Sequence, residues 1–101
     1  MKTNWVINNV SEEIFKAANN ELKAYGAKSQ KRLRYCCADV FQTENYFILK
    51  SYATFVAAID KTTLQGVDVL RLVYGYTATS AQHIRKFFED YGAEVILTYR
   101  P

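Results

Sequence analysis

Apolar residues recur at helical spacing near the start of the chain. The stripe has members three or four residues apart: Ile14, Ala18, Leu22 and Tyr25. Ser11 stands where an N-cap would, two glutamates follow it, and Gly26 comes directly after the stripe. The pattern predicts a helix over residues 11–25.

A second stripe lies near the other end of the chain: Ile84, Phe87, Phe88 and Tyr91. Their i, i+3, i+4, i+7 spacing is typical of an amphipathic helix with one buried face. Thr77 or Thr79 can cap its start, and Gly92 marks its end. The opposite face carries polar and charged side chains: Gln82, Arg85, Lys86 and Glu89.

Between and after the helices, β-branched and aromatic residues predict strands at 33–42, 46–52, 55–60, 67–74 and 94–99. Short connections join the first four, which favours an antiparallel meander. Residues 27–32 are polar and basic and are interpreted as a surface loop. We therefore predict a single α+β domain over residues 1–101, with two helices and an antiparallel sheet of about five strands in the order α-β-β-β-β-α-β.

The strands at 46–52 and 67–74 have apolar side chains on both sides. Two helices of about seven turns in all are too small to cover both faces of five strands. We therefore expect one face to remain partly open, and a second copy of the chain or another partner to cover it. A homodimer is the simplest form of that expectation.

Composition limits the class of protein. Half of the residues are hydrophobic, which argues against disorder. The longest apolar run is only 55–59, and the first residues lack a signal-peptide core, so we expect a cytoplasmic protein without a membrane span. Cys36 and Cys37 are adjacent, which disfavours a disulfide between them; they are interpreted as buried thiols or, alternatively, as a vicinal redox pair.

The net charge of +3 comes entirely from the first forty residues. Residues 28–34 form a basic run, and its candidate binding residues are Lys28, Lys31, Arg32, Arg34 and the neighbouring Tyr35. Such a run is either a solvated loop, a phosphate contact, or a match for an acidic patch on a protein. The chain also has eight tyrosines, more than a small core normally hides. The strand tyrosines proposed as partner contacts are Tyr46, Tyr52 and Tyr74.

No set of residues points to catalysis or to a cofactor. His83 is the only histidine, with Ser80 one turn earlier, but a nucleophilic pair also needs an orienting group and an oxyanion site. Two adjacent cysteines and one distant histidine do not make a tetrahedral zinc site, and the carboxylates are scattered. The sequence therefore favours a non-enzymatic protein with no cofactor and no metal.

Two segments carry a family resemblance. Residues 46–57 read YFILKSYATFVA, a hairpin with Ser-Tyr-x-Thr at its turn, and residues 76–88 read YTATSAQHIRKFF, a Tyr-Thr-x-Thr-Ser cap leading into His-Ile-x-x-Phe. Over residues 33–91 the chain resembles a family of small, mostly uncharacterised proteins of bacteriophages and mobile elements from Gram-positive bacteria. The resemblance implies an accessory protein that binds a host protein, most sharply an anti-CRISPR-type inhibitor of a CRISPR effector. The alternative is a nucleic-acid-binding accessory protein that uses the basic run.

Overall fold

The structure, a computed structural model, describes residues 2–6, 10–33, 37–70 and 77–99. Within these ranges it contains two helices and seven strands, which confirms the α+β class. The helices are α1 (Val10–Tyr25) and α2 (Ala78–Tyr91). The strands are β1 (Lys2–Val6), β2 (Ser29–Arg32), β3 (Ala38–Gln42), β4 (Tyr46–Ser51), β5 (Thr54–Asp60), β6 (Gln65–Asp68) and β7 (Val95–Tyr99).

All the described strands form one sheet in the order β1-β7-β6-β5-β4-β3-β2. From β2 to β6 each strand is antiparallel to the next, as the short connections predict. The final strand β7 lies between β6 and β1 and is parallel to both. Its parallel pairing with β6 requires a crossover connection, which contains α2. The sheet is thus mostly antiparallel and wider than the predicted five strands.

The two additional strands are its edges. Residues 27–32 were predicted as a loop, but β2 pairs with β3 through four residues, from Ser29 opposite Gln42 to Arg32 opposite Asp39. Its side chains are mostly exposed on both sides, so it lacks the alternation of apolar and polar residues that identifies a strand. At the other edge, β1 was not predicted; it pairs with β7 near the start of the chain.

Two predicted strands are shorter in the structure. The strand predicted at 33–42 covers only Ala38–Gln42, and Leu33 lies outside any strand. The strand predicted at 67–74 is Gln65–Asp68. Just beyond it, the Val69 N–H still donates to the carbonyl oxygen of Val56 in β5, and the carboxylate of Asp68 accepts the backbone N–H of Leu70. Residues 71–74 of that prediction lie outside the described residues.

The helices lie on opposite faces of the sheet, so each face is covered by one helix rather than one face being left to a partner. α1 packs across β4 to β7, and α2 packs across β4 and β5. Alternate side chains of one strand serve the two layers: Ile48 belongs to the α1 side, and Leu49 to the α2 side. Strands with two apolar sides therefore mark the middle layer of three, with one helix on each face.

The α2 side holds the most deeply buried aromatic rings. Phe87 and Phe88 are buried against the sheet, and the ring of Phe47 packs on Tyr91 with centroids 4.9 Å apart. Gly66 lies under this helix, and a Cβ added there would be 2.7 Å from the Phe88 ring. The close approach of sheet and helix thus requires glycine at this position of β6.

Candidate functional site

The two segments that carry the family resemblance meet in space. The turn between β4 and β5 lies against the first turns of α2, where it brings Ser51 to Ser80 and His83. We name this region, made of Ser51, Tyr52, Thr77, Ser80 and His83, the Tyr52 corner. Its members are up to 32 residues apart in sequence, and the fold alone brings them together.

Hydrogen bonds join the polar members of the corner. Thr77 is the N-cap of α2, as predicted, and its hydroxyl accepts the backbone N–H of Ser80 at 3.2 Å. Ser51 Oγ is 2.9 Å from Ser80 Oγ and 2.9 Å from Nδ1 of His83. One assignment satisfies all three groups: Ser80 donates to Ser51, and Ser51 donates to a neutral imidazole. Ser51 and Ser80 are each only 2% exposed, so this chain of bonds lies beneath the surface.

Tyr52 lies on top of this base. Its ring is tilted 41° from the imidazole of His83 with centroids 5.9 Å apart, and the residue is 53% exposed. Its backbone φ is +57°, a left-handed conformation that a tyrosine rarely adopts. The Tyr52 N–H donates to the carbonyl oxygen of Cys37 at 2.6 Å, and Cys37 also has a positive φ, of +86°. The exposed ring of Tyr52 is thus carried by a residue with an uncommon backbone conformation, and a backbone hydrogen bond to Cys37 stabilises that conformation.

The electrostatics of the corner are close to neutral. Burial lowers the pKa of His83, which therefore remains uncharged at neutral pH. The first turn of α2 contains no acidic residue. An open cavity of about 250 Å³ lies beside the ring, lined by Tyr52, Thr77, Thr79 and Ser80. The corner thus presents an aromatic ring and hydroxyl groups rather than a charge.

The Ser–His geometry does not favour nucleophilic catalysis. The pair suggested by the sequence was Ser80 with His83, but the serine that contacts the imidazole is Ser51. Both hydroxyls are buried, where a substrate carbonyl cannot reach them. In the described ranges, no hydrogen bond or ion pair joins His83 to a carboxylate that could orient it, and no group of three or more His, Cys, Asp and Glu side chains could hold a metal ion.

A different network lies at the other end of β4. The Glu21 carboxylate accepts the hydroxyl of Thr43 and both the backbone N–H (3.1 Å) and the side-chain amide (2.7 Å) of Asn45. Lys61 donates to the carbonyl oxygen of Thr43 at 2.7 Å. We name this set, Glu21, Thr43, Asn45 and Lys61, the Glu21 clasp. Partial burial acts to raise the pKa of Glu21, but the bonds from Thr43 and Asn45 outweigh it and lower the pKa.

Tyr25, close to the clasp, is the most exposed large hydrophobic residue described, at 85%. The sequence placed it in the buried stripe of α1, and that prediction is wrong. Tyr25 is the last residue of the helix. The next residue, Gly26, has a φ of +73°, and its N–H donates to the carbonyl oxygen of Leu22. The helical spacing continues to Tyr25, but the surface that the stripe packs against does not.

The basic run is divided by the fold. Lys28 forms an ion pair with Glu44, and Arg32 forms one with Asp39 at 3.5 Å. Because neighbouring residues of a strand point to opposite faces, Lys31 lies on the α2 side of the sheet and Arg32 on the α1 side. Arg34, Tyr35 and Cys36 lie outside the described residues. Cys37 is exposed, which corrects the expectation of two buried thiols.

The proposed tyrosine contacts are also separated. Tyr46 and Tyr52 lie at opposite ends of β4, about 20 Å apart at ~3.3 Å per residue. Tyr46 is half-buried on the α1 side, and burial, with Asp60 and Glu21 nearby, raises its pKa. Tyr74 lies outside the described residues. Of the predicted tyrosines that the structure describes, only Tyr52 is largely exposed.

The described helices include none that is both long enough and apolar enough to cross a membrane.

Fold and site together define a three-layer α+β protein with an exposed aromatic ring at one corner. The chain belongs to DUF8033, a family of unknown function, whose model matches residues 20–100. This range contains the whole Tyr52 corner and the Glu21 clasp. No curated protein and no solved structure matches the chain.

Proposed function

We propose that this protein is a non-enzymatic binding protein that uses the Tyr52 corner to contact a bacterial host protein. The observation that carries the proposal is the exposed ring of Tyr52, held by a backbone hydrogen bond from below and by His83 beside it. Tyrosine is enriched among the residues that dominate binding energy at protein interfaces. A ring that is ordered before binding loses little conformational entropy when a partner covers it.

The buried hydroxyl chain supports this role. Ser51 and Ser80 are too buried to react with a substrate, and their bonds to each other and to His83 instead fix the surface under the ring. Left-handed backbone at a non-glycine residue costs about 1–3 kcal/mol and recurs at functional sites. Tyr52 and Cys37 both have such a backbone and are bonded to each other.

The biological setting in this proposal comes from the resemblance to phage and mobile-element accessory proteins. The segments that carry it, residues 46–57 and 76–88, are the two that build the Tyr52 corner. In its sharpest form, the proposal is an anti-CRISPR-type inhibitor that occupies a surface of a CRISPR effector in the bacterial cytoplasm. Such inhibition needs only a complementary surface and no chemistry.

The alternative, nucleic-acid binding through the basic run, has less support. A phosphate backbone is bound by several cations on one surface. Here Lys28 and Arg32 each have a carboxylate partner, and Lys31 and Arg32 lie on opposite sides of the sheet. The arrangement favours a protein partner over a nucleic acid.

Capture of host proteins from a Gram-positive lysate, with and without nuclease treatment, tests the proposal. We expect a protein that is retained in both arms. Once the captured host protein is purified, Tyr52→Gly should raise the rate at which it dissociates from this chain about tenfold or more, since the variant removes the ring. Glycine adopts a positive φ without strain, so this variant should fold at least as well as the wild-type chain. If the partner is a CRISPR effector, its target cleavage should stop at equimolar protein.

Tyr25→Ala is the matched control. It removes an exposed tyrosine at the opposite end of β4, and we expect partner binding to remain unchanged. Equal loss of binding in both variants would show that the corner is not the contact. Disappearance of every captured protein after nuclease treatment would favour the nucleic-acid alternative.

A further inference from the structure

The edge strand β2 has main-chain groups that its neighbour does not use. The N–H of Leu33 donates to the carbonyl oxygen of Ala38 at 2.7 Å, which makes these two residues a hydrogen-bonded pair of the antiparallel ladder. Such pairs alternate along a ladder, so Lys31 opposite Val40 is the next pair that bonds inward. The N–H and C=O groups of Gln30 and Arg32 therefore point away from β3.

We propose that this edge binds an extended, acidic segment of a partner protein as an additional antiparallel strand. The outward groups of Gln30 and Arg32 would bond to its main chain, as in other cases of strand addition to a sheet edge. This surface is separate from the Tyr52 corner, and the proposal does not depend on the function proposed above.

The positive charges on β2 indicate that the added segment of the partner is acidic. Lys31 is exposed and makes no ion pair with any residue that the structure describes. Arg32 Nε lies 3.5 Å from a carboxylate oxygen of Asp39, but more than half of the Arg32 side chain is exposed, so its guanidinium group remains accessible to a ligand. One cation lies on each face of the edge, so acidic side chains on both faces of an added strand would each meet a positive charge.

The same charges disfavour a second copy of this chain on the edge. If two copies paired antiparallel at this edge, the outward groups of Gln30 and Arg32 in one copy would bond to the outward groups of the same two residues in the other copy. Pairing Gln30 with Arg32 places Lys31 opposite Lys31. Pairing Arg32 with Arg32 places these two cations opposite each other, and pairing Gln30 with Gln30 places Arg32 opposite Lys28. Like charges directly opposite are destabilising, so each of these registers is penalised. Lysine on an edge strand commonly prevents pairing of this kind.

The test uses a short, end-blocked peptide of valine and threonine with two adjacent glutamates, added to the full chain. We expect the backbone amides of Gln30 and Arg32 to gain protection from hydrogen exchange, with no gain at Lys31, which already bonds inward. The affinity should fall with added salt. Replacing both glutamates by glutamine should weaken binding about tenfold.

Gln30→Pro is the sharpest variant. It removes an outward N–H and no bond to β3, and proline is tolerated on an edge strand in that orientation. We expect it to abolish peptide binding, whereas Gln30→Ala, which keeps the N–H, should bind like wild type. Should the proline variant not fold, Lys31→Gln serves instead, because its side chain is exposed and the variant should bind the peptide more weakly.

Three results would each overturn the proposal. The first is unchanged exchange at Gln30 and Arg32 in saturating peptide. The second is protection of these amides that rises with protein concentration alone, which would indicate a second copy. The third is a response of Lys31 and Arg32 to a single-stranded oligonucleotide but not to the peptide, which would indicate nucleic acid. If the wild-type chain does not bind the peptide but still captures the host protein, only the edge proposal is rejected, and the proposed Tyr52 contact is unaffected.

Discussion

The two ends of β4 are stabilised in different ways. At its start, the Glu21 clasp uses a carboxylate and an ammonium group to tie α1 to the turn before β4. At its end, the Tyr52 corner uses only hydroxyls and a neutral imidazole. The clasp has ordinary backbone at Thr43 and Asn45, whereas the corner holds Tyr52 and Cys37 at positive φ.

The difference indicates that the Glu21 clasp stabilises the fold, whereas the Tyr52 corner exposes a side chain for binding. In the clasp, three donors converge on one carboxylate, and the result is a fixed connection between helix and sheet. In the corner, the hydrogen bonds are buried, and the group left at the surface is an aromatic ring. Charged groups at a surface are screened and contribute little, while an ordered ring supplies apolar area that a partner can bury. The corner is therefore the better candidate for recognition.

The largest expected effect lies between the two ends, in the core under α2. Phe87 is fully buried and packs against Phe88 and Tyr91 with ring centroids 5.5 Å from each. Phe87→Ala should lower the free energy of unfolding by about 3–5 kcal/mol, because it leaves a cavity in the sheet–helix interface. Urea denaturation at neutral pH measures it. A loss below about 1 kcal/mol would mean that the helix does not pack as described.

Glu21→Gln breaks the clasp alone and should cost about 1 kcal/mol, since the bonds are charge-assisted but partly solvated. The pKa of Glu21 is lowered in the fold from 4.5, so the charged form contributes stability well above pH 4.5, and this contribution disappears as the pH falls through the lower folded value. The difference between wild type and variant should therefore shrink in acid.

Paired denaturation curves at neutral and acidic pH test this prediction. A difference between wild type and Glu21→Gln that is independent of pH would show that packing, not the ionised carboxylate, holds the clasp. Partner binding through the Tyr52 corner should be unaffected by the variant.

The smallest expected effect is on the corner, through His83. Its pKa is lowered from 6.5 by burial, so the unfolded chain takes up a proton at higher pH than the folded one. Stability should therefore decrease as the pH falls below 6.5 toward the folded value. His83→Asn, whose amide can replace Nδ1 as a partner of Ser51, should remove that dependence. Thermal unfolding between about pH 7.5 and about pH 5.5 measures it, and an equal slope in both proteins would contradict the assignment.

Self-association was predicted from strands with two apolar faces. One helix on each face accounts for those strands within a single chain, so the original reason for a dimer no longer applies. Dimerisation remains a prediction, which light scattering at micromolar concentration tests. A clean monomer mass would leave the Tyr52 corner available to a foreign partner.

Local signals in the sequence determined the helices and the central meander. The stripe of Ile84, Phe87 and Phe88 is buried as predicted, and Thr77 and Gly92 cap α2 as predicted. These features depend on residues three or four positions apart or on the φ preference of glycine, so a single segment contains all the information they need. Belonging to the α+β class follows from the order of such segments.

Only the tertiary structure decided the edges, the layers and the corner. β2 is polar on both sides, and its strand character comes from pairing with β3 rather than from a pattern of its own. A strand with two apolar sides does not reveal which side receives which helix, because both sides have the same composition. Ser51 and His83 meet only because the turn after β4 and the start of α2 reach the same end of the sheet, a contact across 32 residues that no local pattern encodes.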